Sequence, residues 1–154
     1  MHQRLIVVAN RTCPCPGLPD EVLEHVAPSG RVHVVAPALN SRVRHWVTDT
    51  DAAVRKAGAR LSQAVGALRE VGLDADGSVG DADPMHAIED VLVQFDADAV
   101  LISTWPEGHS NWLERDLVAR AELALTMPVY HVVSLYGVTE SRRGVRISAA
   151  RVIR

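Results

Sequence analysis

The chain has 154 residues, a net charge of -3, 47% hydrophobic and 23% charged residues, which excludes a disordered or strongly polarised chain and argues against nucleic acid as the main partner. That length suits one domain able to bury about two-thirds of the surface its unfolded form would expose. No apolar run approaches the roughly 18 residues of a membrane span, and "MHQRLIVVAN" lacks the pattern of a signal peptide, so the expected address is cytoplasmic.

In chain order, "RLIVVAN" (4–10) is a β-branched run closed by the Pro-rich turn "CPCPGLP", the signature of a strand buried on both faces. "PDEVLEHV" (19–26) opens with Pro and two acids and stops before "APSGR", which predicts a short helix. "RVHVVAPA" (31–38) is a second buried strand. Val54, Ala57, Leu61, Ala64, Val65, Leu68 and Val71 then recur at helical spacing, predicting a helix over about 49–71 with Thr48 and Asp51 as a capping-box variant.

"LDADGSVGDAD" (73–83) is rich in turn formers and leaves room for a short edge strand at most. Asp83 and Pro84 suit the cap and first position of a helix over 84–95, with Met85, Ile88, Val91, Leu92 and Phe95 on one stripe. "DAVLIST" (98–104) predicts a strand, 112–125 an amphipathic helix and "PVYHVVS" (128–134) the last strand. Strands alternating with helices predict an α/β fold, a three-layer α/β/α sandwich whose parallel sheet binds ligands outside the carboxyl ends of its strands.

With "LIVVAN", "RVHVVAP", "GDADPMHAIEDVLVQFDADAVLIST" and "MPVYHVV", residues 4–134 resemble the universal stress protein family. The resemblance implies an adenine nucleotide alpha hydrolase-like fold with a five-stranded parallel sheet in the order 3-2-1-4-5. It also implies a homodimer and, in one branch of the family, an ATP site. The domain spans 1–134, and 135–154 form a C-terminal extension, an edge or dimer strand with a locally basic run from Arg142 to Arg154.

The ATP branch carries a Gly-x2-Gly-x9-Gly-Ser/Thr loop after strand four. Counted from strand four, its first glycine falls on Ser103, its second on Pro106 and the Gly-Ser pair on Asp116 and Leu117. Counted back from Pro128, the pair falls on Arg115 and Asp116. Neither register restores glycines that would let backbone N–H groups curl around phosphates. A carboxylate at 116 about 4 Å from a phosphate would oppose binding by roughly 4 kcal/mol at an effective dielectric near 20. Asn10 stands where the family usually has an acid.

The candidate ligand-binding residues, placed by the resemblance and by the loop "STWPEGHSN", are Asn10, Val35, Ser103, Trp105, Gly108, His109, Ser110 and Asn111. Ser110 or Asn111 would cap the fourth helix and leave its free N–H groups for an anion. Trp105 suits a stacking platform, a plug in a vacated site or a dimer contact, and the residues do not choose between them.

Cys13 and Cys15, the two cysteines, cannot fill a metal shell alone and read as thiols in a Pro-stiffened loop; no metal is expected. The other histidines have no ligand spacing, and no nucleophile, base and orienter can be assembled from spacing. The expected function is that of a non-enzymatic regulatory domain. It would bind no ATP in the family manner and would act through a partner protein or a small anionic ligand. The alternative is an adenine-nucleotide-binding, weakly ATP-hydrolysing stress protein using 103–111 as its phosphate loop.

Overall fold

The computed structural model describes residues 1–10, 17–38, 50–104 and 116–133. The elements run β1 (His2–Val8), α1 (Leu18–His25), β2 (Val26–Pro37), α2 (Thr50–Glu70), β3 (Asp74–Gly80), α3 (Pro84–Gln94), β4 (Ala99–Thr104), α4 (Leu117–Ala124) and β5 (Val129–Val133). All strand pairs are parallel, in the order β3-β2-β1-β4-β5. This is the expected α/β sheet.

Consecutive strand residues face opposite sides, so a sheet covered on both faces needs unbroken apolar runs. On one face Leu5, Val7, Val34 and Leu101 pack with Leu18 and Val22 of α1 and with Ala57, Ala64 and Leu68 of α2. On the other, Ile6, Val8, Val35 and Ile102 pack with Ile88 and Val91 of α3 and Leu117 and Ala121 of α4. Of the stripe predicted for α2, Val54 and Val71 are exposed and Ala53 is buried instead.

Three boundaries differ from the sequence reading. β2 begins at Val26, directly after α1, because the register slips between the pairs His2/Val26 and Arg4/Arg31. The slip takes up Ala27, Pro28, Ser29 and Gly30 as an irregularity, so these turn formers do not end the strand. β3 pairs with β2 along all seven of its residues. Its turn-forming residues are held by cross-strand polar contacts that propensity does not register. α4 begins at Leu117, and Asp116 before it has φ 56° in the left-handed region. Of the helix expected over 112–125, α4 occupies Leu117–Ala124 among the described residues, and its cap position is Asp116 rather than Ser110 or Asn111.

The end of α2 is set by Gly72, at φ 87°. Its N–H donates to the Arg69 carbonyl at 2.9 Å and that of Leu73 to the Leu68 carbonyl at 3.1 Å, the two bonds of a Schellman stop. An added Cβ at Gly72 meets nothing within 4 Å, so Gly72→Ala isolates the conformational cost. The substitution should lower stability by about 1 kcal/mol in urea unfolding.

Candidate functional site

The carboxyl ends of β1, β2, β4 and β5 meet at one edge of the sheet, where parallel α/β sheets bind ligands. Asn10 follows β1 and is 0% exposed. Its Nδ2 donates to the Ser103 carbonyl at 3.0 Å, tying β1 to β4. Its Oδ1 is buried and finds no hydrogen-bond partner among the described residues. A buried orphan acceptor costs about 1–3 kcal/mol, so the junction of β1 and β4 carries an under-satisfied acceptor beside the Asn10–Ser103 tie.

Ser103 and Thr104 are buried beside it. Thr104 Oγ1 lies 2.7 Å from His131 Nε2 on β5. Val35 is fully buried in the core against α3, and its carbonyl accepts the Ala9 N–H at 2.8 Å. The structure thus brings Asn10 and Ser103 together and buries Val35 in the packing. Trp105, Gly108, His109, Ser110 and Asn111 lie outside the described residues, as do Thr48, Pro106, Cys13, Cys15 and the extension 135–154.

Two charged features at this edge are not among the residues nominated for a site, although the sequence marks Asp83 as the cap of α3. Arg60, on α2, donates from Nη2 to the Pro37 carbonyl at 2.5 Å and from Nε to the Ala9 carbonyl at 3.4 Å. It spans the ends of β1 and β2. Asp83 caps α3 by accepting the Met85 N–H at 2.9 Å, and Arg120 of α4 donates to its Oδ2 at 3.1 Å. Burial works to raise the Asp83 pKa, but the Arg120 and Met85 hydrogen bonds and the charges of Arg120 and His86 outweigh it and hold the carboxyl below the usual aspartate range. Periodicity marks Arg60 as polar, yet says nothing of what it reaches.

At the start of α4, Asp116 takes a left-handed conformation of the kind glycine adopts without cost. In the register counted from strand four, Asp116 and Leu117 would stand in the Gly-Ser/Thr positions. Leu117 is 0% exposed and packs in the core. Asp116 itself is exposed, so water screens its charge. Its repulsion of a phosphate about 4 Å away falls to roughly 1 kcal/mol, about fivefold in affinity, instead of the thousandfold that a dielectric near 20 implies.

No protein-family model and no curated protein sequence matches the chain. Among solved structures, a universal stress protein from Archaeoglobus fulgidus is similar with a TM-score of 0.60 and 20% identity, over 85% of this chain and 98% of that one. The fold is that of a universal stress protein. In this chain's version of the universal stress protein fold, no group of three or more His, Cys, Asp or Glu among the described residues is placed to hold a metal. No helix among them is long and apolar enough to cross a membrane.

Two histidines in this fold have pKa values lowered by burial, which predicts a loss of stability in acid. Burial lowers the pKa of His25, which stacks on Tyr130 with ring centroids 3.9 Å apart; Glu24 opposes the shift, and His2 and the N-terminal amine add to it. Burial also lowers His131, against an opposing pull from Glu122. Below the ordinary histidine value of about 6.5 the unfolded chain takes up protons that the folded chain refuses, so stability is lost as the pH falls from there through the folded values. The urea midpoint should drop between pH 7 and 5, and the His25→Asn/His131→Asn double variant should flatten that slope.

Proposed function

We propose that this chain is a universal-stress-protein-like regulatory domain whose carboxyl edge does not bind ATP in the family manner and serves another small ligand or a partner protein. The observation that carries this reading is the start of α4. A carboxylate and a core leucine, Asp116 and Leu117, occupy the positions of the family's glycine and hydroxyl. A Ser or Thr hydroxyl there would face a phosphate, whereas Leu117 gives its side chain to the packing of α4 on the sheet. Pro106, at the second glycine position, has no N–H to donate. The homodimer implied by the resemblance belongs to the same proposal, and the position of β5 at a sheet edge supports it, since an edge strand offers unpaired backbone groups to a second copy.

The orphan Oδ1 of Asn10 favours a ligand that donates hydrogen bonds, such as a sugar hydroxyl or an amine. It also supports the second reading, an adenine nucleotide held through a modified loop at 103–111, because a nucleoside carries such donors. A thermal-shift titration with adenosine, AMP, ADP and ATP separates the two. On the first reading ATP leaves Tm unchanged, and any ligand that raises Tm loses its effect in Asn10→Leu. A rise that grows from adenosine to ATP would favour the second.

A further inference from the structure

Away from the carboxyl edge, on the face of the sheet that carries α3, the register of β2 and β3 brings His33 together with two β3 side chains more than forty positions away. His33 Nδ1 lies 2.7 Å from Asp76 Oδ1, and His33 Nε2 lies 3.0 Å from Ser78 Oγ. Asp76 and Ser78 are two residues apart on β3 and so share a face, and His33 pairs in register with Asp76. An ionised aspartate only accepts, so Nδ1 carries the ring proton. Nε2 of the neutral ring is then the acceptor, and the Ser78 hydroxyl donates to it. The other carboxylate oxygen of Asp76 accepts from Arg31 Nη2 at 3.2 Å, which fixes the carboxylate from the far side. The ring of Phe95 stands 5.5 Å from that of His33, an apolar wall beside the base. The His33 side chain is 17% exposed and Ser78 is half-buried.

A donor for a developing oxyanion is also present. Gly80 turns its carbonyl to the Ala38 N–H of the neighbouring chain segment, whereas the Ala75 carbonyl accepts from Arg69 Nε. Alternate residues of a parallel strand present both amide groups to the same side. Val79 therefore shares the parity of Ala75, and its N–H faces the outer edge of β3, the last strand of the sheet. The N–H of the residue after a nucleophile is a recurrent oxyanion donor.

We propose that Ser78, His33 and Asp76 form an acyl-transfer site that hydrolyses activated carboxylic esters, independently of what the carboxyl edge binds. Ser78 Oγ bonds to the ester carbonyl carbon as its proton passes to His33 Nε2, and the carbonyl electron pair moves onto the oxygen facing the Val79 N–H. Collapse breaks the bond to the alcohol oxygen, which leaves with the proton from His33. Water then loses a proton to the same nitrogen and attacks the acyl-serine. Ser78 takes that proton back, and a carboxylic acid is released. Asp76 is a positioning residue that holds the ring tautomer and faces the imidazolium.

The full chain should be treated with a fluorophosphonate, which phosphonylates an activated serine with loss of fluoride, and with 4-nitrophenyl acetate. The expected result is one adduct, located on Ser78 by peptide mass spectrometry, forming at least about a hundredfold faster on the folded than on the urea-unfolded chain. Ser78→Ala should abolish it. Asp76→Asn should slow it by about a hundredfold, with partial rescue by Asp76→Glu, a pattern that a merely structural contact would not give. No adduct on the folded wild-type chain, an adduct elsewhere, or equal rates for the folded and unfolded chains would overturn the proposal. None of these three outcomes depends on a variant folding.

Discussion

Asn10→Asp should cost the fold about 3–5 kcal/mol at neutral pH, the penalty for an uncompensated buried charge. The substitution restores the acid that universal stress proteins usually carry at the end of the first strand, so family resemblance alone expects it to be tolerated. Local chemistry expects the opposite. The Asn10 Nδ2 donates to the Ser103 carbonyl, and aspartate has no donor to replace it. The carboxylate would sit where the side chain is 0% exposed and where the existing Oδ1 already lacks a partner among the described residues. Urea unfolding at pH 7 and pH 5 checks this, with the loss smaller at pH 5 because protonation restores a donor. Wild-type stability in the variant would mean that cationic or donor groups already converge on this position.

Gly77→Val should cost about 3 kcal/mol, at the upper end of what overpacking a filled site costs. Strand propensity gives the opposite sign, since valine is favoured and glycine disfavoured in strands, by up to about 1 kcal/mol. The structure decides for packing. A Cβ at Gly77 would run into the Val34 carbonyl of β2 and the Leu61 side chain of α2, and a backbone carbonyl inside a sheet has nowhere to move. The damage would fall on the β2–β3 pairing that sets His33 against Asp76 and Ser78. Chemical denaturation together with the fluorophosphonate reaction should therefore show both properties falling. A stabilised variant would mean that β3 is held less closely than its pairing indicates.

These cases show where a sequence can be read and where it cannot. Runs such as "LIVVA" and "AVLI" are legible because strands buried on both faces favour unbroken apolar side chains, and the helices show through the 3.6-residue spacing of residues such as Ile88 and Val91. Asp83 announces itself as a cap because capping is local, and the side chain does bond the Met85 N–H. β3 is underestimated because Asp74, Asp76, Gly77 and Ser78 are turn formers, stabilised in the strand by partners more than forty positions away at Arg31 and His33. The relay that ends on Ser78 is invisible for the same reason. Its members acquire a common face only when the register of β2 and β3, separated in the chain by the long helix α2, is known. At the carboxyl edge, Asn10 and Ser103 could be nominated from their positions at strand ends. The orphan Oδ1 is a property of three-dimensional packing and has no counterpart in spacing. The left-handed Asp116 also has no sequence signature.

Whether the carboxyl edge holds ATP in the family manner is decided by isothermal titration calorimetry of the full chain with magnesium and ATP, with tryptophan fluorescence followed in parallel. The expected result is no saturable heat up to millimolar ATP. Stoichiometric binding with a micromolar Kd would overturn this reading and establish that the chain grips the nucleotide despite Asp116 and Leu117.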